Sequence, residues 1–222
     1  MTLLFDLDGT LTDSWPGIVR CINHALETLG HAPVDATRLR RMIGAPLGRI
    51  LPALLGSDDP AVIDRAIAAY RARFTAIGMF ENRLYEGVPD ALRAFEAAGH
   101  TLHVVTAKPT AAAVRVLEHF GLAGLFTSVQ GSDPHDHDCD KAALLRAALA
   151  VNGADARSAV MIGDRAEDVR AARANDAWSV AALWGYGSKD ELLAERPDSV
   201  AEHVTDVIRW VRTKHRTPRS IA

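Results

Sequence analysis

The sequence predicts an α/β fold: a parallel sheet with helices on both faces, plus an inserted all-helical block. Three observations predict it. From Val88 onward, short apolar runs rich in β-branched residues alternate with helical periodicity, the pattern of a parallel sheet with crossover helices. The N-terminal run Leu3-Leu4-Phe5-Asp6-Leu7-Asp8 is a further buried strand of this kind, yet it is separated from the others by a stretch that carries only helical signals. Polar residues of compatible chemistry stand at the ends of successive strands, where open α/β sheets place their ligands.

In chain order, the first strand ends on two acids and the Gly9-Thr10 turn. A helix follows, with Asp13 or Ser14 as its cap, Pro16 in its first turn and Gly30 at its end; Ile18, Val19, Ile22, Leu26 and Leu29 recur at helical spacing. A second helical piece starts near Asp35 or Thr37. Ile43-Gly44-Ala45-Pro46 interrupts it, Leu47 to Leu55 resumes, and Pro60 opens a long helix carrying Ile63, Ile67, Tyr70, Phe74 and Ile77. No strand pattern falls between Ser14 and Asn82, so residues 14–82 read as an inserted helical block, and residues 1–13 with 83–222 as one α/β domain. Val88-Pro89 then leads a helix to Gly99, Thr101 to Thr106 is a buried strand, and Pro109 to Phe120 a helix. Phe126 to Gly131 is a weaker strand, Lys141 to Val151 a helix, Ala159 to Gly163 a strand and Ala166 to Asn175 a helix. Ser179 to Leu183 is the last clear strand. The basic tail from Val207, with Arg209, Arg212, Lys214, Arg216 and Arg219, reads as a final helix turn and a frayed end.

The 222 residues suit one large domain or a domain with an insertion, and a net charge of −3 gives no hint of nucleic-acid binding. Two cysteines in unlike contexts, Cys21 and Cys139, argue against a disulfide framework. Without a basic region before its apolar run the N-terminus does not resemble a signal peptide, and no apolar run approaches bilayer-spanning length. The expectation is a cytoplasmic protein with neither membrane nor nucleic-acid partner, a monomer or a homodimer.

The strand ends carry the chemistry. Asp6 and Asp8 are two apart, so strand alternation aims both toward one point, and their mutual repulsion calls for a cation. The second strand ends in Thr106, followed by Ala107-Lys108-Pro109. Lys141 follows the third strand, and Gly163-Asp164 the fourth, with Asp168 one helical turn later. Such residues can run phosphoryl transfer. Magnesium wants oxygen ligands, which Asp6, Asp164 and the main-chain carbonyl of Asp8 can supply. A carboxylate can serve as nucleophile, a second carboxyl can protonate the leaving oxygen, and a hydroxyl with an ammonium can hold the phosphoryl oxygens. Asp168 can support the set from behind. Singly, each residue has a plain structural explanation, such as a cap, a loop acid or a solvated charge; their joint placement does not.

These motifs resemble the haloacid-dehalogenase-like phosphohydrolases, in the branch similar to phosphoglycolate phosphatases. The resemblance rests on Phe5-Asp6-Leu7-Asp8-Gly9-Thr10-Leu11, on Val105-Thr106 with Ala107-Lys108-Pro109, on Asp140-Lys141-Ala142 and on Ile162-Gly163-Asp164-Arg165-Ala166-Glu167-Asp168. The run Leu183-Trp184-Gly185-Tyr186-Gly187-Ser188 and Asp190-Glu191-Leu192 add to it. It implies a Rossmann-like catalytic core, residues 1–13 and 83–222, with a helical cap, residues 14–82, inserted after the first motif. It implies Asp6 as nucleophile, Asp8 as general acid/base, Thr106 and Lys141 as phosphoryl ligands, and Mg2+ held by Asp6, Asp8 and Asp164 with Asp168 behind. It also implies hydrolysis of a small phosphoester, phosphoglycolate-like or nucleotide-like, through an aspartyl phosphate. The acid at Asp8 favours phosphoester hydrolysis over halide removal, since the dehalogenase members lack it. Alternatives are a phosphosugar mutase on the same scaffold and, from another class, a receiver-like phosphoacceptor switch domain. The absence of lysine from the insertion argues against a phosphonatase. Substrate selection is expected from the cap, with Arg41 and Arg49 as candidates and Lys108 reaching from the rim. His135, Asp136, His137 and Cys139 before Lys141 are ligand types that raise a possible second metal site.

Overall fold

The computed structural model describes residues 1–40, 47–133 and 139–214. The chain forms two compact units, Met1–Asp13 together with the chain from Leu84 onward, and Ser14–Arg83. In chain order the elements are β1 (Thr2–Phe5), β2 (Thr12–Asp13), α1 (Trp15–Thr28), α2 (Ala36–Arg40), α3 (Leu47–Leu55) and α4 (Pro60–Ala76). There follow β3 (Arg83–Leu84), α5 (Val88–Ala97), β4 (Thr101–Pro109), α6 (Thr110–His119) and β5 (Ser128–Ser132). The rest are α7 (Lys141–Val151), β6 (Ala159–Gly163), α8 (Ala166–Ala174), β7 (Trp178–Ala182), α9 (Lys189–Ala194), β8 (Ser199–Ala201) and α10 (Val204–Lys214).

The first unit is built on a six-stranded sheet in the order β5-β4-β1-β6-β7-β8. Every pairing in it is parallel. The chain winds outward from β1 through β4 to β5, then returns to the other side of β1 for β6, β7 and β8. The order therefore reverses at β1, and the crevice beyond the carboxyl ends of β1, β4 and β6 is where a doubly wound sheet receives a ligand. Successive residues of β1 serve opposite faces. Leu4 packs with Val105, Met161, Leu145, Leu149 and the alanines of α8 beneath α7 and α8. Phe5 turns the other way, its ring 6.1 Å from Phe95 of α5 and 6.4 Å from Phe126.

Three local outcomes differ from the sequence reading. The strand through Thr106 runs on to Pro109, with a register shift after Val105 that lets Pro109 pair with Ser132. A proline ends a strand without losing a needed donor, so its ring did not break the strand there. β8 carries no sequence signal because it is a three-residue edge strand with only Ala201 buried. The basic tail is better ordered than a frayed end as far as Lys214: Val204, Val207 and Val211 bury one stripe of α10, and Lys214 Nζ lies 4.7 Å from the Trp178 ring centroid. Arg216 and Arg219 fall outside the described residues.

The second unit is helical among its described residues. Its core joins Cys21, Ile22, Ala25 and Leu26 of α1 to Leu39, Ile50, Leu51, Leu55, Ala66 and Tyr70. Asp59 caps α4 by accepting from Ala61 N at 2.9 Å, directly before Pro60. Ser14 stands at the N-cap of α1, but its side chain makes no capping hydrogen bond. Gly17 and Gly78 are required by packing: a Cβ at Gly17 would strike Gly78 O, and one at Gly78 would strike Cys21 Sγ. Arg73 forms a bidentate pair with Glu81, Nη1 to Oε2 at 2.7 Å and Nη2 to Oε1 at 3.1 Å. The pair holds Glu81 below the usual carboxyl range despite its partial burial.

Candidate active site

The ladder delivers Asp6 to its position. One residue past β1, Asp6 N still donates to Ile162 O of β6 at 2.9 Å. The chain then folds tightly: Leu11 N and Thr12 N both donate to Leu7 O, and Gly9 N donates to Thr12 O at 2.7 Å. Gly9 takes φ +89°, and a Cβ there would collide with the Asp164 carboxylate, so backbone conformation and close approach both demand glycine.

Asp164, just past β6, has no exposed surface. Its Oδ1 accepts from Thr10 Oγ1 at 2.8 Å and its Oδ2 from Tyr186 N at 2.8 Å. Asp168 lies in the first turn of α8, and its Oδ2 accepts from Arg165 N at 3.0 Å. Lys141 opens α7, whose free N–H groups are met by Asp140 Oδ1, accepting from Ala142 N and Ala143 N. That cap fixes where the lysine starts. Its Nζ lies 3.0 Å from Asp6 Oδ1 and 2.9 Å from Asp168 Oδ1, the latter an ion pair rather than a well-directed hydrogen bond. Carboxylate oxygens of Asp6, Asp164 and Asp168 all lie within 4.8 Å of one another.

Asp8 is placed differently. Its Oδ2 is 2.7 Å from Lys108 Nζ, and its Oδ1 is buried with no hydrogen-bond partner among the described residues. Lys108, expected from the sequence to reach from the rim, is buried, with a side chain 5% exposed. Thr106 is buried beside it, its Oγ1 accepting from Lys108 N at 3.2 Å. The two acids of the first motif thus draw separate lysines, although both were expected to aim at one point. Asp8's carboxylate is not part of the close trio, so any role as a metal ligand falls to its main-chain carbonyl.

Electrostatics follow from this crowding. Four carboxylates face two ammonium groups, leaving an excess of negative charge in a region shielded from water. Burial, then Asp6 and Asp168, push the Asp164 carboxyl up to about 8, although Tyr186 N–H and the Thr10 hydroxyl oppose the rise. Burial pushes Asp168 up to about 6, with Lys141 pulling against it. Burial would lower Lys141, but Asp168 and Asp6 outweigh it and hold the ammonium above its ordinary range. A buried excess of carboxylate, all hard oxygen donors within reach of one point, fits a divalent cation such as Mg2+. Asp8 Oδ1, buried without a partner among the described residues, has capacity for a proton or for a bond to a ligand.

Arg49 sits exposed on α3 in the helical unit. Cys139 is partly exposed and takes part in no disulfide among the described residues, while Arg41, His135, Asp136 and His137 lie outside the described residues. Roles were not read in advance for Thr10, Trp184, Gly185, Tyr186 or Gly187. Trp184 Nε1 donates to Thr10 O at 3.0 Å, and a Cβ at either Gly185 or Gly187 would collide with Asp164. Two glycines two apart after a strand end are the signal of close backbone approach that would have pointed there.

Known proteins resemble this chain over most of its length. A family model described as haloacid dehalogenase-like hydrolase matches residues 3–182. A Pseudomonas aeruginosa protein named 5'-nucleotidase is 38% identical over 195 residues, covering 88% of each chain. A Xylella fastidiosa phosphoglycolate phosphatase is 34% identical over 208 residues, 90% of this chain and 88% of that one. A Mycobacterium tuberculosis protein named tyrosine-protein kinase PtkA is 37% identical over 188 residues, 85% of this chain but 64% of its own length. A crystal structure from Clostridium difficile superimposes with a TM-score of 0.89 at 31% identity, over 95% of this chain and 97% of that one. With a parallel sheet of matching architecture and a family model spanning most of its length, the chain is an enzyme of the haloacid dehalogenase-like hydrolase family.

Proposed function

We propose that the protein is a magnesium-dependent phosphomonoester hydrolase acting on a small phosphorylated metabolite through an aspartyl-phosphate intermediate. The observation that carries this reading is the Lys141 bridge between Asp6 and Asp168, set within one carboxylate cluster with Asp164. In the proposed reaction an Asp6 oxygen attacks phosphorus and the bond to the leaving oxygen breaks. That oxygen takes a proton from Asp8, which then removes a proton from the water that attacks the aspartyl phosphate. Thr106 and Lys141 hold the phosphoryl oxygens and offset their charge. Mg2+, held by Asp6, Asp164 and the main-chain carbonyl of Asp8, would supply Lewis-acid stabilisation of the phosphoryl charge. Asp168 orients Lys141. The helical unit, residues 14–82 by the sequence reading, acts as a cap that excludes water and selects substrate, with Arg49 and Lys108 as the cations available for the rest of the molecule. The names of the relatives point to phosphoglycolate-like or nucleotide-like substrates. No described helix is long and apolar enough to cross a membrane. The proposed location is cytoplasmic.

A phosphoester panel with and without Mg2+ tests this. It includes nucleoside monophosphates, phosphoglycolate, a hexose phosphate, and ATP with a tyrosine peptide. Mg2+-dependent release of phosphate, a covalent phosphoenzyme on acid quench, and loss of both in Asp6→Asn by a factor on the order of 10⁴ are expected. Full activity of Asp6→Asn would overturn the mechanism. Hexose-phosphate isomerisation or peptide phosphorylation without net hydrolysis would overturn the reaction class.

A further inference from the structure

We infer that Trp184 is a positioning residue for the metal centre, acting through Thr10 on Asp164. The inference rests on the metal ligation proposed above and goes beyond it. The loop after β7 lies directly on Asp164. Gly185 and Gly187 have no room for a Cβ against Asp164, so the backbone between them runs in contact with that residue. Within this stretch Tyr186 N–H donates to Asp164 Oδ2 at 2.8 Å. The other oxygen is reached indirectly: the Trp184 indole N–H donates to Thr10 O at 3.0 Å, and Thr10 Oγ1 donates to Asp164 Oδ1 at 2.8 Å. Each carboxylate oxygen accepts one bond from this frame and keeps a lone pair free. The rotation of the carboxylate, and so the direction of those lone pairs, is set by two donors that both trace to one loop. Thr10 lies on a turn built around Gly9 with φ +89°, and the indole ties that turn's carbonyl to the loop 174 residues away in sequence.

Outer partners of metal ligands act by orientation, and losing one costs about 10- to 100-fold in metal affinity. Trp184→Phe keeps an aromatic ring and removes the donor. The readout is the Mg2+ concentration that half-protects the protein in thermal melting, taken separately from turnover. Trp184→Phe is expected to raise that concentration about tenfold. Thr10→Val should do the same. The double variant should match the weaker-binding single within about twofold, since both changes cut one chain of contacts. Trp210→Phe, a partly buried tryptophan stacked edge-on against Trp178, should leave it unchanged. Trp184→Leu supplies the same deletion if the phenylalanine variant does not fold.

A purely structural Trp184 would lower the melting temperature in chelator while leaving the Mg2+ midpoint within twofold of wild type, and that result would overturn the inference. Multiplying effects in the double variant would overturn the route through Thr10. Wild-type protein that Mg2+ does not stabilise at all would overturn the metal reading itself, and the inference with it.

Discussion

Replacing Asp164 by asparagine should stabilise the metal-free protein at alkaline pH while abolishing Mg2+-dependent turnover. Burial, Asp6 and Asp168 raise its carboxyl from an ordinary 3.8 to about 8. A folded-state value above the unfolded one gives stability that is complete below about pH 4 and is lost as pH rises through 8. At ~1.4 kcal/mol per decade, the ionised, metal-free fold loses on the order of 5 kcal/mol through this one group. Asparagine is neutral throughout. With its amide turned so that Oδ1 accepts from Tyr186 N–H and Nδ2 donates to Thr10 Oγ1, it keeps both present contacts. Asp6 and Asp168 remain, so only part of the repulsion is relieved, and a gain of about 2–4 kcal/mol is expected. At roughly 2–4 °C per kcal/mol for a chain of this size, melting should rise by about 5–15 °C near pH 9 in chelator and by little near pH 5. Saturating Mg2+ should reverse the order, because a ligand that binds only the folded wild type stabilises only it. Thermal melting of both proteins at the two pH values, in chelator and in Mg2+, measures every term. A variant no more stable than wild type near pH 9 in chelator would refute the argument that Asp164 carries uncompensated buried charge.

Lys141→Met leaves Asp6 and Asp168 without their shared cation; breaking a buried pair of this kind costs ~3–5 kcal/mol. The loss in melting temperature at pH 8 should shrink toward pH 5, where Asp168, held near 6, takes up a proton. In the helical unit, Arg73 holds Glu81 below its ordinary 4.5. A depressed carboxyl adds stability above that value and loses it as pH falls further. Glu81→Gln should therefore melt below wild type near neutrality, and the gap should narrow progressively as pH falls below 4.5 in paired melts.

Much of the site was legible because parallel sheets gather strand ends. Asp6, Thr106, Lys141, Asp164 and Asp168 each lie at the end of a run whose apolar character marks it as a strand, or in the first turn of the helix after one. Once the alternation was read, the meeting of Asp6, Lys141, Asp164 and Asp168 followed. Local pattern failed where elements are too short to have a period, as in β8, or where the partner decides the outcome, as in β4, which continues past Thr106 because Ser132 is there to pair with Pro109. The loop from Trp184 to Gly187 shows a different limit. Its glycines were visible, but what they approach lies on β6, and no spacing within the loop names it.

Residue type and order determined the fold class, the helical insertion and the chemistry that the strand ends can perform. Tertiary structure alone decided which lysine each acid meets, that Asp8 keeps one buried oxygen without a partner among the described residues, and that the excess charge gathers on Asp164 and Asp168. The reason is physical. Strand and helix patterns are local and repeat every few residues, whereas Coulomb energy and desolvation depend on distances between groups far apart in the chain and on how much water remains around them.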